Sequence, residues 1–279
     1  MSEFVYRRSY RGKIKAVILD WSGTTADRYV VAPAVVFVEV FRKHGVEISM
    51  AEARGPMGLR KDLHIKALTE VPEIAARWEK IHGKRPGQAE VDAMFADFVP
   101  MQLECLPKYT ELLPGIAEVT QRMQKNGIKI GTTTGFTRSM VDVLLADAIK
   151  QGFRPDCTVA GDDVIHGARP NPHMVYRNLD LLGVHTIQSV IKVDDTVSGV
   201  GEALNAGCWG IGVSRYSNYM DMDTPDSDKA LSAAEIDYRH EKTKELLRRA
   251  GAHYVIDSIA DIEPVIDDIN ARLARGETP

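Results

Sequence analysis

The segment KAVILDWSGTTAD, Lys15 to Asp27, decides how the rest of the chain is read. Its apolar first half is short and rich in Val, Ile and Leu, the composition of a strand buried on both faces. The run ends on a carboxylate, Asp20, and a loop of small residues follows at once. One aspartate at a strand end is ordinarily a cap or loop residue, so Asp20 gains meaning only from what the other strand ends carry. Two places on stands Ser22 and not a second aspartate, which bears on the leaving group of any reaction at Asp20.

Runs of the same kind recur as IKIGTT (128–133), CTVAG (157–161), SVIKV (189–193), CWGIGV (208–213) and HYVI (253–256). Helical patterns fall between them. LPGIAEVTQRMQKNG starts at Pro114 and stops at Gly127, and TRSMVDVLLADAIKQG runs from a threonine cap to Gly152. This alternation predicts an α/β fold with a doubly wound, Rossmann-like parallel sheet. It breaks once. Between Asp27 and about Lys108 only helical patterns occur: PAVVFVEVFRKHG, RKDLHIKALTE, EIAARWEKIHG and AEVDAMFADFVPMQLECL. The expected organisation is a core of residues 1–27 and 108–279 with an inserted all-helical cap at 28–107, mounted by linkers near 27–32 and 105–112. RYSNYMDMDTPDSDKALS (215–232) is polar and turn-rich, and reads as a surface loop near the C-terminal edge of the sheet.

The 279-residue chain is 44% hydrophobic and 27% charged, ordinary for a globular protein with a real core. A formal net charge of −4 leaves no global basic field for nucleic acid. The locally basic N-terminus, MSEFVYRRSYRGK, lacks the apolar core of a signal peptide and reads as a solvated tail, with a mitochondrial address as the alternative. No apolar run approaches the ~20 residues of a membrane helix. Cys105, Cys157 and Cys208 are odd in number and far apart, which fits core thiols in a reducing, cytoplasmic compartment better than disulfides or a zinc site. The eight histidines form no HxH or HExxH spacing.

In a doubly wound sheet, ligands bind outside the carboxyl ends of the strands. Those ends and the loops after them carry Asp20, then TTTGFT with Thr134 and Gly135, then GARPNP with Arg169, then DDTVSG with Asp194 and Asp195. A helix starting near Thr134 and Gly135 offers free N–H groups to an anion. Arg169 can hold phosphoryl oxygens in a fork. Asp20, Asp194 and Asp195 repel one another unless a cation sits among them, and hard oxygen donors suit Mg2+. Asp20 becomes a candidate nucleophile making an aspartyl phosphate, its approach to anionic phosphorus screened by the metal. Each motif alone means little; their order at successive strand ends argues for phosphoryl transfer.

DWSGTTAD, TTTGFT, ARPNP and KVDDTVSG together resemble the four motifs of the haloacid dehalogenase superfamily, and the helical insertion resembles that superfamily's cap. The resemblance implies that Asp20 is nucleophile and Mg2+ ligand, with the backbone carbonyl of Ser22 as another ligand. It implies that Thr134 and Arg169 hold the phosphoryl group, Arg169 standing where many members have lysine. It implies that Asp195 binds Mg2+ directly or through water, with Asp194 assisting. Some relatives carry a glycine–aspartate pair and a further aspartate four residues on. Here that later position is Gly199, so Asp194 is read as supplying the missing carboxylate.

Phosphatases of the superfamily carry an aspartate two residues after the nucleophile, which protonates the leaving alcohol; Ser22 cannot do so at neutral pH. DWSGTT together with MGLRKDLH resembles the phosphonoacetaldehyde hydrolases, and the resemblance spans essentially the whole chain. It implies that Lys61 forms a Schiff base with the substrate aldehyde and that His64 and Met57 help handle protons there. It also implies a cap-mediated homodimer acting on a small phosphonate in 2-aminoethylphosphonate degradation. The iminium drains electrons from the carbon bearing phosphorus, carbon departs as a neutral enamine, and position 22 needs no acid. A free lysine, with pKa ~10.4, is ~0.1% neutral near pH 7.4, so burial under the cap and nearby Arg60 are expected to lower it. Phe136 stands where a tyrosine can occur and Val30 where a cysteine can. On the residues alone two other readings stay open. One is a Mg2+-dependent phosphatase or phosphomutase of the same superfamily, indifferent to loss of Lys61. The other is a catalytically silent phosphate-binding protein.

Overall fold

The computed structural model describes residues 9–279; the N-terminal tail through residue 8 lies outside the described residues. Strand β1 (Ala16–Asp20) is buried along its whole length. The chain then turns within Trp21–Asp27, where the N–H groups of Thr25 and Ala26 both donate to the Trp21 carbonyl. Five helices follow with no strand among them: α1 (Val31–Lys43), α2 (Met50–Arg54), α3 (Lys61–Glu70), α4 (Pro72–His82) and α5 (Gln88–Cys105). Alternation then resumes through α6 (Ile116–Lys125), β2 (Lys129–Thr133), α7 (Arg138–Lys150), β3 (Cys157–Val159) and α8 (His173–Leu182). It continues through β4 (Val190–Asp194), α9 (Val197–Ala206), β5 (Trp209–Val213), α10 (Ala233–Arg249), β6 (Tyr254–Ile256) and α11 (Ile262–Ala274).

All six strands run parallel in one sheet, in the order β3-β2-β1-β4-β5-β6. The chain winds from β1 to β3 in one direction and from β4 to β6 in the other. The switch point therefore lies between β1 and β4, where a parallel sheet opens a crevice at its carboxyl edge. Asp20 and Asp194 are the last residues of those two strands.

The five inserted helices pack on one another through apolar side chains that are continuous with the core around the sheet. Phe37, Val40 and Phe41 of α1 are buried, and Phe37 stacks on Phe98 of α5 with ring centroids 4.6 Å apart. Helix α3 packs on α4 and α5. The short helix α2 follows no long apolar pattern. Ser49 nucleates it by a capping box, its hydroxyl accepting from the Glu52 N–H while the Glu52 carboxylate accepts from the Ser49 N–H.

The entry into the inserted helices is strained. Asp27, Tyr29 and Val30 have φ of 53°, 65° and 55°. A β-branched valine adopts the left-handed region only where its surroundings hold it there. The Tyr29 N–H donates to the Tyr216 carbonyl, and the Asp27 carboxylate accepts from the N–H groups of Val31 and Ala32.

Two expectations change. The helix after TTTGFT starts at Arg138, not near Thr134 and Gly135, because the Thr134 hydroxyl accepts from the Phe136 N–H and closes a local turn first. The stretch 215–232 is not simply a surface loop. Ser217, Asn218, Met220 and Met222 are buried, the two methionines packing with Tyr29 and Val31. Two methionines scattered among polar letters carry no periodicity that would reveal this.

Candidate active site

Asp20, Ser22, Thr134, Gly135, Arg169 and Asp195 from the sheet edge line one small cavity together with Met57 and Lys61 from the inserted helices. His64 and Asp194 are buried beside it and do not line it.

Lys61 opens α3 and is only 5% exposed. Its ammonium nitrogen sits 4.6 Å from the ring centre of Phe136 and 5.7 Å from that of Phe37. Burial lowers its pKa to about 8, against the pull of Asp20 and helped by the positive Arg169. Arg60 is not the helper the sequence suggested. Its guanidinium grips Asp62 at 2.7 and 2.6 Å and is neutralised there.

His64 is one turn along the same buried face of α3 and stacks on Phe37 at 3.8 Å. Its Nε2 lies 2.8 Å from the Ala53 carbonyl, which can only accept, so Nε2 carries the proton. Nδ1 is left as an unpaired base. Burial first, and then the charge of Lys61, drives its pKa well down, so the ring is neutral. Met57 is buried against Val30 and Ala34 and forms an apolar wall.

Arg169 is 2% exposed, and its nitrogens are engaged by the protein itself. Nη2 lies 2.5 Å from Asp20 Oδ1 and bonds both oxygens of Thr133, Nε meets Glu202 at 3.1 Å, and Nη1 approaches Asp194 at 3.2 Å. Its first task is thus to hold the nucleophile candidate and not to wait as an open fork. Lys192 is fully buried on β4 and bonds Asp194 at 2.6 Å. Burial raises the Asp20 carboxyl, and Arg169 partly offsets this. Burial also works against ionised Asp194, but Arg169 and Lys192 overcome it and hold its carboxyl low. Burial, Asp194 and Asp20 together push Asp195 well up.

A divalent cation fits this donor set. Carboxylate oxygens of Asp20, Asp194 and Asp195 lie within 4.8 Å of one another, all buried. Asp195 Oδ1 is buried without a hydrogen-bond partner. Arg169 and Lys192 pair with Asp20, Asp194 and Glu202, whereas Asp195 has no ion pair among the described residues and is left in repulsion with Asp20 and Asp194, which a cation would relieve. Asp194 is the poorest direct ligand, because Oδ1 accepts from Thr196 N–H and Oγ1 while Oδ2 takes Lys192. A Cβ at Gly199 would sit 1.8 Å from the Asp194 carboxyl carbon. A carboxylate at 194 and a side chain at 199 therefore exclude each other in space.

Sequence reasoning passed over Lys192, Glu202, Thr133 and Asn218. A lysine inside the buried run SVIKV was a signal, since a buried ammonium needs a carboxylate partner. Glu202 was the only carboxylate in VSGVGEALNA. Asn218 had none: it reaches the site by contact across the fold, donating its N–H to Asp195 Oδ2 at 2.8 Å.

Comparison with known proteins places the chain in a family. Residues 14–207 match the family model of the haloacid dehalogenase-like hydrolases. The chain is 45% identical over 266 residues to a phosphonoacetaldehyde hydrolase of Paraburkholderia phytofirmans, covering 95% of this chain and 99% of the relative. It is 42% identical over 279 residues to that of Nitratidesulfovibrio vulgaris, covering 100% and 99%. A crystal structure of a phosphonoacetaldehyde hydrolase-like protein from Oleispira antarctica superimposes with a TM-score of 0.95 at 39% identity, over 100% of both chains.

Proposed function

The chain belongs to the phosphonoacetaldehyde hydrolases within the haloacid dehalogenase-like hydrolases, and from that premise we propose that it cleaves the carbon–phosphorus bond of phosphonoacetaldehyde to acetaldehyde and phosphate. The observation that carries the proposal is the buried amine of Lys61 facing the same cavity as Asp20, and burial lowers its pKa to about 8, which enlarges the neutral, nucleophilic fraction. A phosphate-ester hydrolase needs no amine nucleophile there, and burying an amine is costly.

The neutral amine of Lys61 adds to the aldehyde carbon, and water leaves to give an iminium. Asp20, ordered by Arg169, attacks phosphorus through a carboxylate oxygen. The P–C bond breaks, and its electron pair moves into a C–C double bond as the iminium becomes a neutral enamine. Carbon so released needs no acid at Ser22. The enamine is protonated at carbon, and water hydrolyses the imine to acetaldehyde and free Lys61. A second water hydrolyses the aspartyl phosphate, returning Asp20 and phosphate. His64, one helical turn from Lys61 with Nδ1 unpaired, would pass protons there, and Phe136 with Met57 would keep water from the amine. Asp20, the Ser22 carbonyl and Asp195 would hold Mg2+, with Asp194 behind them, and the ion would supply the positive charge that lets a carboxylate approach an anionic phosphonate. The same premise carries a homodimer, a cytoplasmic setting and a place in 2-aminoethylphosphonate breakdown.

Borohydride tests the proposal, because it reduces an iminium irreversibly. Protein treated with phosphonoacetaldehyde and borohydride is expected to lose activity and to carry the reduced adduct on Lys61 in peptide mapping. Labelling at Lys66 instead, or no substrate-dependent label at all, refutes the Schiff-base reading.

A further inference from the structure

Arg54 ends α2, yet its side chain is only 4% exposed. Among the described residues its guanidinium donates to neutral acceptors alone: the Tyr29 carbonyl at 2.6 Å, Asn218 Oδ1 at 3.2 Å and the Met222 carbonyl. Its Nε is buried with no partner. Asp221, Asp223, Asp27 and Asp195 act on it only through space, without a hydrogen bond; a buried guanidinium whose hydrogen bonds all go to carbonyl oxygens costs stability that an apolar residue would not, so its geometry calls for a reason. Tyr29 lies in the strained linker, and Asn218 and Met222 lie on the core. Asn218, itself 2% exposed, returns the contact through Nδ2 to the Arg54 carbonyl at 3.2 Å. From the other side of the same residue, the Asn218 N–H holds Asp195 Oδ2 at 2.8 Å, and its neighbour Ser217 donates Oγ–H to the Asp195 carbonyl at 2.9 Å. With Oδ2 taken, Asp195 is left with one free oxygen, Oδ1.

We propose that Arg54 and Asn218 form a clasp that positions Asp195 for its cation only when the inserted helices are seated on the sheet edge. Both are positioning residues. Seating of the helices that bring Lys61 orders residues 217–222, and that ordering aims Asp195 Oδ1. By linkage the coupling runs both ways, so cation binding also favours the seated helices. The metal site is thus complete when the amine that activates the substrate is in place, and loose when it is not.

The clasp rests on the assignment of Asp195 to the cation, and titration calorimetry with Mg2+ alone separates the two. Asn218→Ala and Arg54→Gln are each expected to weaken Mg2+ binding about tenfold, the scale on which outer-sphere partners act. The double variant is expected to be no weaker than either single one, since both break the same chain. In the parent, Mg2+ is expected to slow amide hydrogen exchange in residues 50–58, and in Asn218→Ala it is not. Asn218→Ser, which keeps a small polar side chain, is used if the alanine variant does not fold. A clasp that merely stabilises the fold would lower the melting temperature and leave Mg2+ affinity within twofold of the parent; that result overturns the proposal. If Asp195→Asn loses Mg2+ while Asn218→Ala keeps it, the clasp alone fails. If Asp195→Asn binds Mg2+ like the parent, the metal assignment fails and takes the clasp with it.

Discussion

Replacing Lys61 by methionine is expected to destroy cleavage and to stabilise the protein. The ordinary lysine value of 10.5 falls to about 8 when this chain folds, chiefly through burial. Below pH 8 the amine is charged in both states, and the folded state bears the whole cost of burying it. At ~1.4 kcal/mol per pH unit, that drop corresponds to about 3 kcal/mol. Between pH 8 and 10.5 the folded protein sheds the proton while the unfolded chain keeps it, so the unfolded state binds more protons and stability rises with pH. Above 10.5 the cost is gone. Methionine has similar length and no charge, but it forfeits the contact of the ammonium with the Phe136 ring at 4.6 Å, worth up to ~2 kcal/mol. The expected gain for Lys61→Met is therefore ~1–3 kcal/mol at pH 7, shrinking to nothing by about pH 10.5. Urea unfolding of parent and variant in metal-free buffer, at several pH values from 7 to 10.5, measures it; other titrating groups cancel in the difference. A variant less stable than the parent at pH 7, or a difference independent of pH, refutes the idea that this amine is held near neutrality by burial.

Asp20→Asn keeps the shape of the nucleophile candidate and removes its charge, so phosphate release is expected to fall at least ~10³-fold, about 4 kcal/mol of barrier, while borohydride still traps substrate on Lys61. A rate near that of the parent, with mass spectrometry excluding deamidation, assigns the nucleophile elsewhere. Gly58 has φ of 95°, and a Cβ there would lie 2.1 Å from Ser198 Oγ and 2.6 Å from Thr196 Oγ1. Gly58→Ala is expected to keep the loop carrying Met57 from seating and to lower kcat/KM about tenfold, from ~1–2 kcal/mol of backbone strain alone; steady-state kinetics at parental values would show that the loop yields.

Much of this protein is decided by short-range pattern. A Val- and Ile-rich run of five residues has few ways to satisfy its backbone other than a buried parallel strand, and six such runs separated by helices leave little freedom in the sheet. The strand ends then place Asp20, Asp194 and Asp195 at one edge, because ligand-bearing residues in such a sheet lie at the carboxyl ends. The missing acid at Ser22 is a fact of the letters themselves, whereas a lone lysine such as Lys61 reads as a solvated surface charge and stands out only through the resemblance carried by DWSGTT and MGLRKDLH. What the letters leave open are quantities set by neighbours far away in the chain. Arg169 is turned onto Asp20 and Glu202 by contacts 149 and 33 residues distant. Gly199 matters because the Asp194 carboxyl fills the space of its missing side chain. Arg60 is adjacent to Lys61 in sequence yet spends its charge on Asp62, and Arg169, far off in sequence, acts on the amine instead. Asn218 sits in a stretch without periodicity and meets both Asp195 and the Arg54 carbonyl at the end of α2 by contacts across the fold. Periodicity and composition express how each residue meets solvent and its own helix or strand. Electrostatics and hydrogen bonding across the fold depend on distance in space, and that is decided only when the helices after β1 are folded back over the strand that precedes them.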